Sequence, residues 1–224
     1  MNKNLDVLEK KLFIFDLDGT LVDSPYWIVL YANITRLAFG FNGLVPCELE
    51  KLVGSPPKAF WNLSHPVPEK ISNAMTMDFR RRLINHPFDA RDLYESVAEL
   101  LDYLKSQRKR LSIATNKPTV NAKHVLMQCG IQDYFSEIVG SDSFDAKPSP
   151  AMLSHLCQSA KVDSREAVMI GDRQEDIEAS HWAGMSSIGI GQSFGPKDSL
   201  NIITPSWHFD SISSMFKSIS SGRG

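Results

Sequence analysis

The chain predicts an α/β fold, a parallel sheet with helices on both faces and a small helical unit inserted after the first strand. Three observations carry this. Short apolar runs alternate with helical stretches through the second half, the pattern of parallel strands joined by crossover helices. Residues 26–85 hold helical spacing and no convincing strand. The strand-like runs also stop abruptly at polar residues, as expected where ligands bind beyond the carboxyl ends of an open sheet. In order, Leu12-Phe13-Ile14-Phe15 is the first strand. Residues 26–39 are apolar at helical spacing, 40–43 turn, and helical runs fall near 47–53, 58–64 and 68–85. A helix at 92–106 precedes a strand at 110–115, and Pro118 separates that strand from a helix at 119–129. Strand 136–140, helix 148–161, strand 167–170, helix 174–183 and strand 187–190 then alternate. Residues 207–209 and 212–219 read as a last short strand and helix, with 218–224 frayed.

The chemistry-bearing residues cluster at strand ends. The first strand runs into Asp16-Leu17-Asp18-Gly19-Thr20, two carboxylates two residues apart before a glycine that lets the backbone turn. Such a pair is also an ordinary turn, so its partners decide. If a carboxylate is to attack a phosphate dianion, like charges must meet, and at about 4 Å each unit pair repels by about 4 kcal/mol at an effective dielectric near 20. A divalent ion, a Lys or Arg, and hydroxyl or amide donors are the remedies. The chain supplies candidates for each. Thr115-Asn116 ends the second strand, a pair that also serves as a helix cap. Lys147 precedes Pro148-Ser149-Pro150, although most lysines are solvated surface groups. Gly171-Asp172-Arg173-Gln174-Glu175-Asp176 follows another apolar run, with Asp172 and Asp176 spaced for one helical face or for a strand end and first turn. Arg173 reads as solvent-facing or as a contact to a substrate or partner, the first being preferred.

Taken in series, these four stretches resemble the motifs of the haloacid dehalogenase (HAD) superfamily in its phosphatase version. The resemblance implies that Asp16 attacks phosphorus and Asp18 moves protons. It implies that Thr115, Asn116 and Lys147 bind the phosphoryl group. A Mg²⁺ ion would be held by Asp16, Asp172, Asp176 and the backbone carbonyl of Asp18, with Asp176 binding directly or through water. A Rossmann-like core of 1–23 and 89–224 and a helical cap of 24–88 follow, as in the subfamily containing phosphoglycolate phosphatases, β-phosphoglucomutases and haloacid dehalogenases. Many relatives open the helix before the second motif with a Pro-Gly turn. Here Leu93-Tyr94-Glu95-Ser96-Val97 stands instead.

Within the cap, Gly54-Ser55 sits where the family carries a substrate-specificity loop, and it reads equally as an interhelical turn. Arg80, Arg81 and Arg82 offer a guanidinium to a carboxylate or second phosphate of a substrate, but three successive helical residues point in different directions, so at most one or two can do so, and such a run is more usually a solvated face. Asp18 argues against a dehalogenase, which lacks that second carboxylate. A phosphomutase keeps both, and a non-catalytic regulator would have lost a catalytic residue where this chain has lost none. The implied activity is a Mg²⁺-dependent phosphatase for a small phosphorylated metabolite: phosphoglycolate, a nucleotide monophosphate or a sugar phosphate.

Composition fits this reading. The 224 residues suffice for one substantial domain and a small one, and 42% hydrophobic with 22% charged residues is ordinary for a globular chain. A net charge of −2 argues against a nucleic-acid partner. Cys47, Cys129 and Cys157 have no metal-ligand spacing and read as reduced, mostly buried thiols. His65, His86 and His124 have no partners at ligand spacing. The start of the chain has no signal-like apolar stretch, and no run nears the roughly 18 apolar residues of a membrane span. The cytoplasm is the expected compartment.

Overall fold

In the computed structural model, which describes residues 6–50, 52–53, 55, 57–63, 65–191 and 203–221, the strands form one parallel sheet. They are β1 (Leu12–Phe15), β2 (Arg110–Thr115), β3 (Glu137–Gly140), β4 (Ala167–Gly171), β5 (Ser186–Ile190) and β6 (Trp207–Phe209), in the order β3-β2-β1-β4-β5-β6. The central strand β1 is buried at all four positions, which explains why its sequence is a continuous apolar run. Its side chains still alternate. Phe13 and Phe15 join a core with helices α5 (Val97–Ser106), α6 (Thr119–Gln128) and α9 (Ile212–Ser220). Leu12 and Ile14 point into a second core with α7 (Ala151–Ala160) and α8 (Gln174–Trp182). Register pairs Phe15 with Ile113 of β2 and with Ile170 of β4, so three adjacent parallel strands end side by side at one edge of the sheet.

Between β1 and β2 the chain builds α1 (Pro25–Ala38), α2 (Pro46–Glu50), α3 (Lys58–Trp61) and α4 (Glu69–Ile84). Ile28, Val29, Ala32, Phe60, Trp61, Met75, Phe79 and Leu83 bury one another in an apolar cluster of their own. Arg36 is buried beside it and donates to the carbonyls of Asn42, Phe60 and Trp61, so a guanidinium ties α1 to the chain that follows. The segment leaves and re-enters the core at one place. Val22 bridges Leu93, Asp23 N–H donates to the Asp92 carbonyl at 2.7 Å, and Tyr94 Oη donates to Asp23 at 3.1 Å.

Boundaries differ from expectation where local groups intervene. The helix read at 92–106 starts only at Val97. Asp89 accepts from Arg91 N–H, and Asp92 accepts from Asp89 N–H, which closes a separate 3₁₀ turn over Ala90–Asp92. Ser96 then sits at φ 66°, where a glycine would carry no penalty, at a cost of about 1 kcal/mol. The helix read at 148–161 starts at Ala151, because Pro150 biases Ser149 away from helical geometry. Leu52 and Val53 turn rather than extend α2. Far from fraying at 218, α9 runs to Ser220, capped at its start by Ser211 accepting from Ser214 N–H; residues 222–224 lie outside the described residues. Cys129 and Cys157 are buried free thiols while Cys47 is exposed. His86 is buried against Trp27, with ring centroids 4.1 Å apart, and bonds Tyr31. Among the described residues no helix is long and apolar enough to cross a membrane.

Candidate functional site

Asp16 follows β1, Thr115 ends β2 and Asp172 follows β4, so the parallel register delivers all three to the same edge. The turn after β1 is held by Asp16 N–H donating to Ile170 and Gly19 N–H donating to Val22. Gly19 lies at φ +86°, and a Cβ there would come within 2.6 Å of an Asp172 carboxylate oxygen. That position needs glycine on both counts. At the end of β4, a Cβ on Gly171 would overlap the Asp176 carboxylate. Both loops therefore admit a carboxylate because they lack a side chain.

Lys147 reaches the same point from the loop after β3. The residue is 5% exposed, and its ammonium donates to Asp16 Oδ1 at 2.8 Å, Asp176 Oδ1 at 2.5 Å and the Ala114 carbonyl at 2.7 Å, which uses all three protons. Burial alone would lower its pKa, but the flanking Asp16 and Asp176 outweigh it and hold the amine charged. Asn116 fixes this lysine. Its side-chain Oδ1 accepts from Lys147 N–H at 2.8 Å and its Nδ2 donates to the Lys147 carbonyl at 3.2 Å, so its amide grips the neighbouring loop. Thr115 is buried at the cleft, its hydroxyl accepting from Lys117 N–H.

Asp16, Asp172 and Asp176 place carboxylate oxygens all within 4.8 Å of one another. Asp172 and Asp176 form a strand-end and first-turn pair, not two residues of one helical face. Burial, then the charges of Asp16 and Asp176, push the Asp172 carboxyl up to about 8, with the Thr20 hydroxyl at 2.9 Å opposing. Burial likewise pushes Asp176 up to about 6 against the pull of Lys147. Three carboxylates facing one ammonium leave an excess of two negative charges when all are ionised. A hard divalent cation with oxygen ligands matches both that excess and the donor set.

Asp18 turns away from this cluster. Its Oδ1 accepts from Ser24 Oγ at 2.6 Å and from Lys117 Nζ at 2.7 Å. Sequence reasoning gave Lys117 and Ser24 no role. Lys117 lies 99 residues from Asp18, and its only signal was its place directly after Thr115-Asn116 at a strand end.

The cleft continues toward the inserted helices. Ser55 and Arg80 line it; Gly54 lies outside the described residues. Arg81 and Arg82 instead bind Asp78, each at 2.6 Å, on another face of α4. Arg173, read as solvent-facing, lines the cleft with its Nε 3.3 Å from Glu175. The helix N-terminus beside it draws Asp176 inward through Arg173 N–H.

Comparison with known proteins agrees with this geometry. A family model described as haloacid dehalogenase-like hydrolase matches residues 13–190. Phosphoglycolate phosphatase of Vibrio vulnificus (strain YJ016) is 30% identical over 92% of this chain and 95% of its own length. The protein of that name from Haemophilus influenzae (strain KW20) is 31% identical over 92% and 96%. A crystal structure of a predicted phosphoglycolate phosphatase from Haemophilus somnus 129PT superposes with a TM-score of 0.82 at 26% identity, covering 96% of this chain and 99% of that one. Strand-end carboxylates, a buried bridging lysine and a match spanning most of the sequence lead to one conclusion: the chain belongs to the haloacid dehalogenase-like hydrolases.

Proposed function

We propose that this hydrolase is a Mg²⁺-dependent phosphatase that cleaves a small phosphorylated metabolite through an aspartyl-phosphate, with residues 24–88 acting as a cap over the site. The observation that carries the reading is Asp16, its carboxylate held by Lys147 at the point where three parallel strands end and a cleft begins. Asp16, Asp172, Asp176 and the backbone carbonyl of Asp18 would hold the metal, which when bound neutralises charge and orients the phosphoryl group.

The chain's own groups account for the rest. An oxygen of Asp16 attacks phosphorus and the P–O ester bond breaks, while Asp18 gives its proton to the leaving oxygen. Asp18 then takes a proton from water as that water attacks the acyl phosphate, which releases inorganic phosphate and restores Asp16. Thr115 contacts the phosphoryl oxygens and the positive charge of Lys147 offsets theirs; Asn116 sets the position of Lys147. Two buried free thiols suit a reducing cytoplasm. Relatives named phosphoglycolate phosphatase make that ester the first to assay, beside nucleotide monophosphates and sugar phosphates.

The test is release of inorganic phosphate. Asp16→Asn should remove nearly all turnover with an unchanged melting temperature, because an amide cannot attack phosphorus. EDTA should abolish activity and Mg²⁺ restore it. A variant that keeps more than a few per cent of turnover excludes Asp16 as nucleophile, and activity undiminished by chelation excludes the metal.

A further inference from the structure

The two ends of the cleft are chemically unlike. Its floor is Asp16, Asp18, Thr115 and Lys147. The facing wall is Ile28 of α1, Phe60 of α3, Phe79, Leu83 and Ile84 of α4, and Phe88. Ile28, Phe60, Phe79 and Leu83 are locked in the apolar cluster of the insert, and Phe88 is packed into the main core. The wall is therefore formed before any ligand arrives. Among the described residues four cations line the cleft, and three lie against carboxylates: Lys117 on Asp18, Lys147 on Asp16 and Asp176, and Arg173 on Glu175. The fourth, Arg80, is exposed at the rim with Asp142 as an electrostatic neighbour.

A carboxylate beside the phosphoryl group, as in phosphoglycolate, would lose water against a wall that is mainly aromatic and aliphatic, with Ser55 and Asn121 as the uncharged polar side chains nearby. An apolar leaving group would cover the same wall favourably. We infer that the preferred substrate is a phosphomonoester whose leaving group carries an alkyl or aromatic body seated on Ile28, Phe60, Phe79, Leu83, Ile84 and Phe88, rather than phosphoglycolate. This rests on the phosphatase reading above. It goes further by assigning the chemical class of the leaving group.

The experiment is a homologous series of n-alkyl phosphates, ethyl, butyl and hexyl, run beside phosphoglycolate with Mg²⁺ present. The leaving alcohols differ little in acidity, so chain length reports the wall. kcat/KM should rise about four-fold per methylene, the ratio that corresponds to burying one CH₂, and phosphoglycolate should fall below hexyl phosphate. Ile84 is only half-buried, so Ile84→Asn should fold while flattening the series, and Ile84→Leu should restore the rise. Because the slope is internal to each variant, a general loss of activity does not imitate this result. A flat series with phosphoglycolate as the best substrate overturns the inference and leaves the phosphatase reading standing. Phosphate released from none of these esters, nor from nucleotide or sugar phosphates, overturns both.

Discussion

Metal-free protein should lose stability as pH rises from 7 to 8. Asp172 carries the effect, its carboxyl pushed up to about 8 by burial and by the neighbouring Asp16 and Asp176. An unfolded aspartate titrates near 3.9, so between the two values the folded state binds the extra proton. Unfolding free energy then falls with rising pH, by up to about 1.4 kcal/mol per unit for one group, and levels off above the folded value. From pH 7 to 8 the loss is on the order of 1 kcal/mol, or about 2–4 °C in Tm for a chain of this length. Other groups act mainly outside this window, the buried thiols of Cys129 and Cys157, raised by burial, only above it. Asp176, pushed up to about 6, acts below it, and His86, lowered by burial, contributes stability that grows with pH only to about 6.5. The assay is scanning calorimetry in EDTA at pH 7 and 8, repeated with Mg²⁺. The ion should raise Tm more at pH 8, where less proton competes for the site. Asp172→Asn should melt at one temperature at both pH values and ignore Mg²⁺. A wild-type Tm that stays level or rises from pH 7 to 8 in EDTA would refute the coupling of these carboxylates.

Two further outcomes follow from the cleft. Lys117→Met removes one of two donors to Asp18, and a charged hydrogen bond of about 1.5–3 kcal/mol predicts a fall in kcat of about 10- to 150-fold, partly rescued by Lys117→Arg; a shift in Tm with kcat intact would make the pair structural. Arg80→Ala should lower kcat/KM several-fold only for esters whose leaving group carries a carboxylate or second phosphate and leave hexyl phosphate within about two-fold, while Arg81→Ala and Arg82→Ala stay within about two-fold on every ester, since their guanidinium groups are held by Asp78. Equal losses in all three would mean that the arginines act together on stability.

How far the sequence disclosed this structure can be judged from single residues. The apolar run of β1 announced a strand buried on both faces, and the residues immediately after it and after β4 are those whose oxygens converge. The division among Arg80, Arg81 and Arg82 was also legible in principle, because Asp78 stands three and four residues before the two it binds. The partner of Asp18 was not. Local patterns report neighbours along the chain, whereas Lys117 comes from a different strand-end loop and meets Asp18 only when the sheet is assembled. The start of α5 was hidden for a similar reason, since Leu93 is drawn into an extended bridge with Val22, a contact between the two ends of the insert.

That bridge has a consequence for how such a chain can change. Val22 and Leu93 lie side by side, with Asp23 bonded to Asp92, so everything between them leaves the catalytic half through a single two-stranded stalk. Closing that junction costs the core one loop, and loop entropy grows only slowly with length. A longer, shorter or differently folded segment grafted between Ser24, which still bonds Asp18, and Phe88, which still packs into the main core, would leave the strand-end carboxylates and Lys147 in register. The chemistry and the fitting of the leaving group are then separable parts: one can be kept while the other is exchanged.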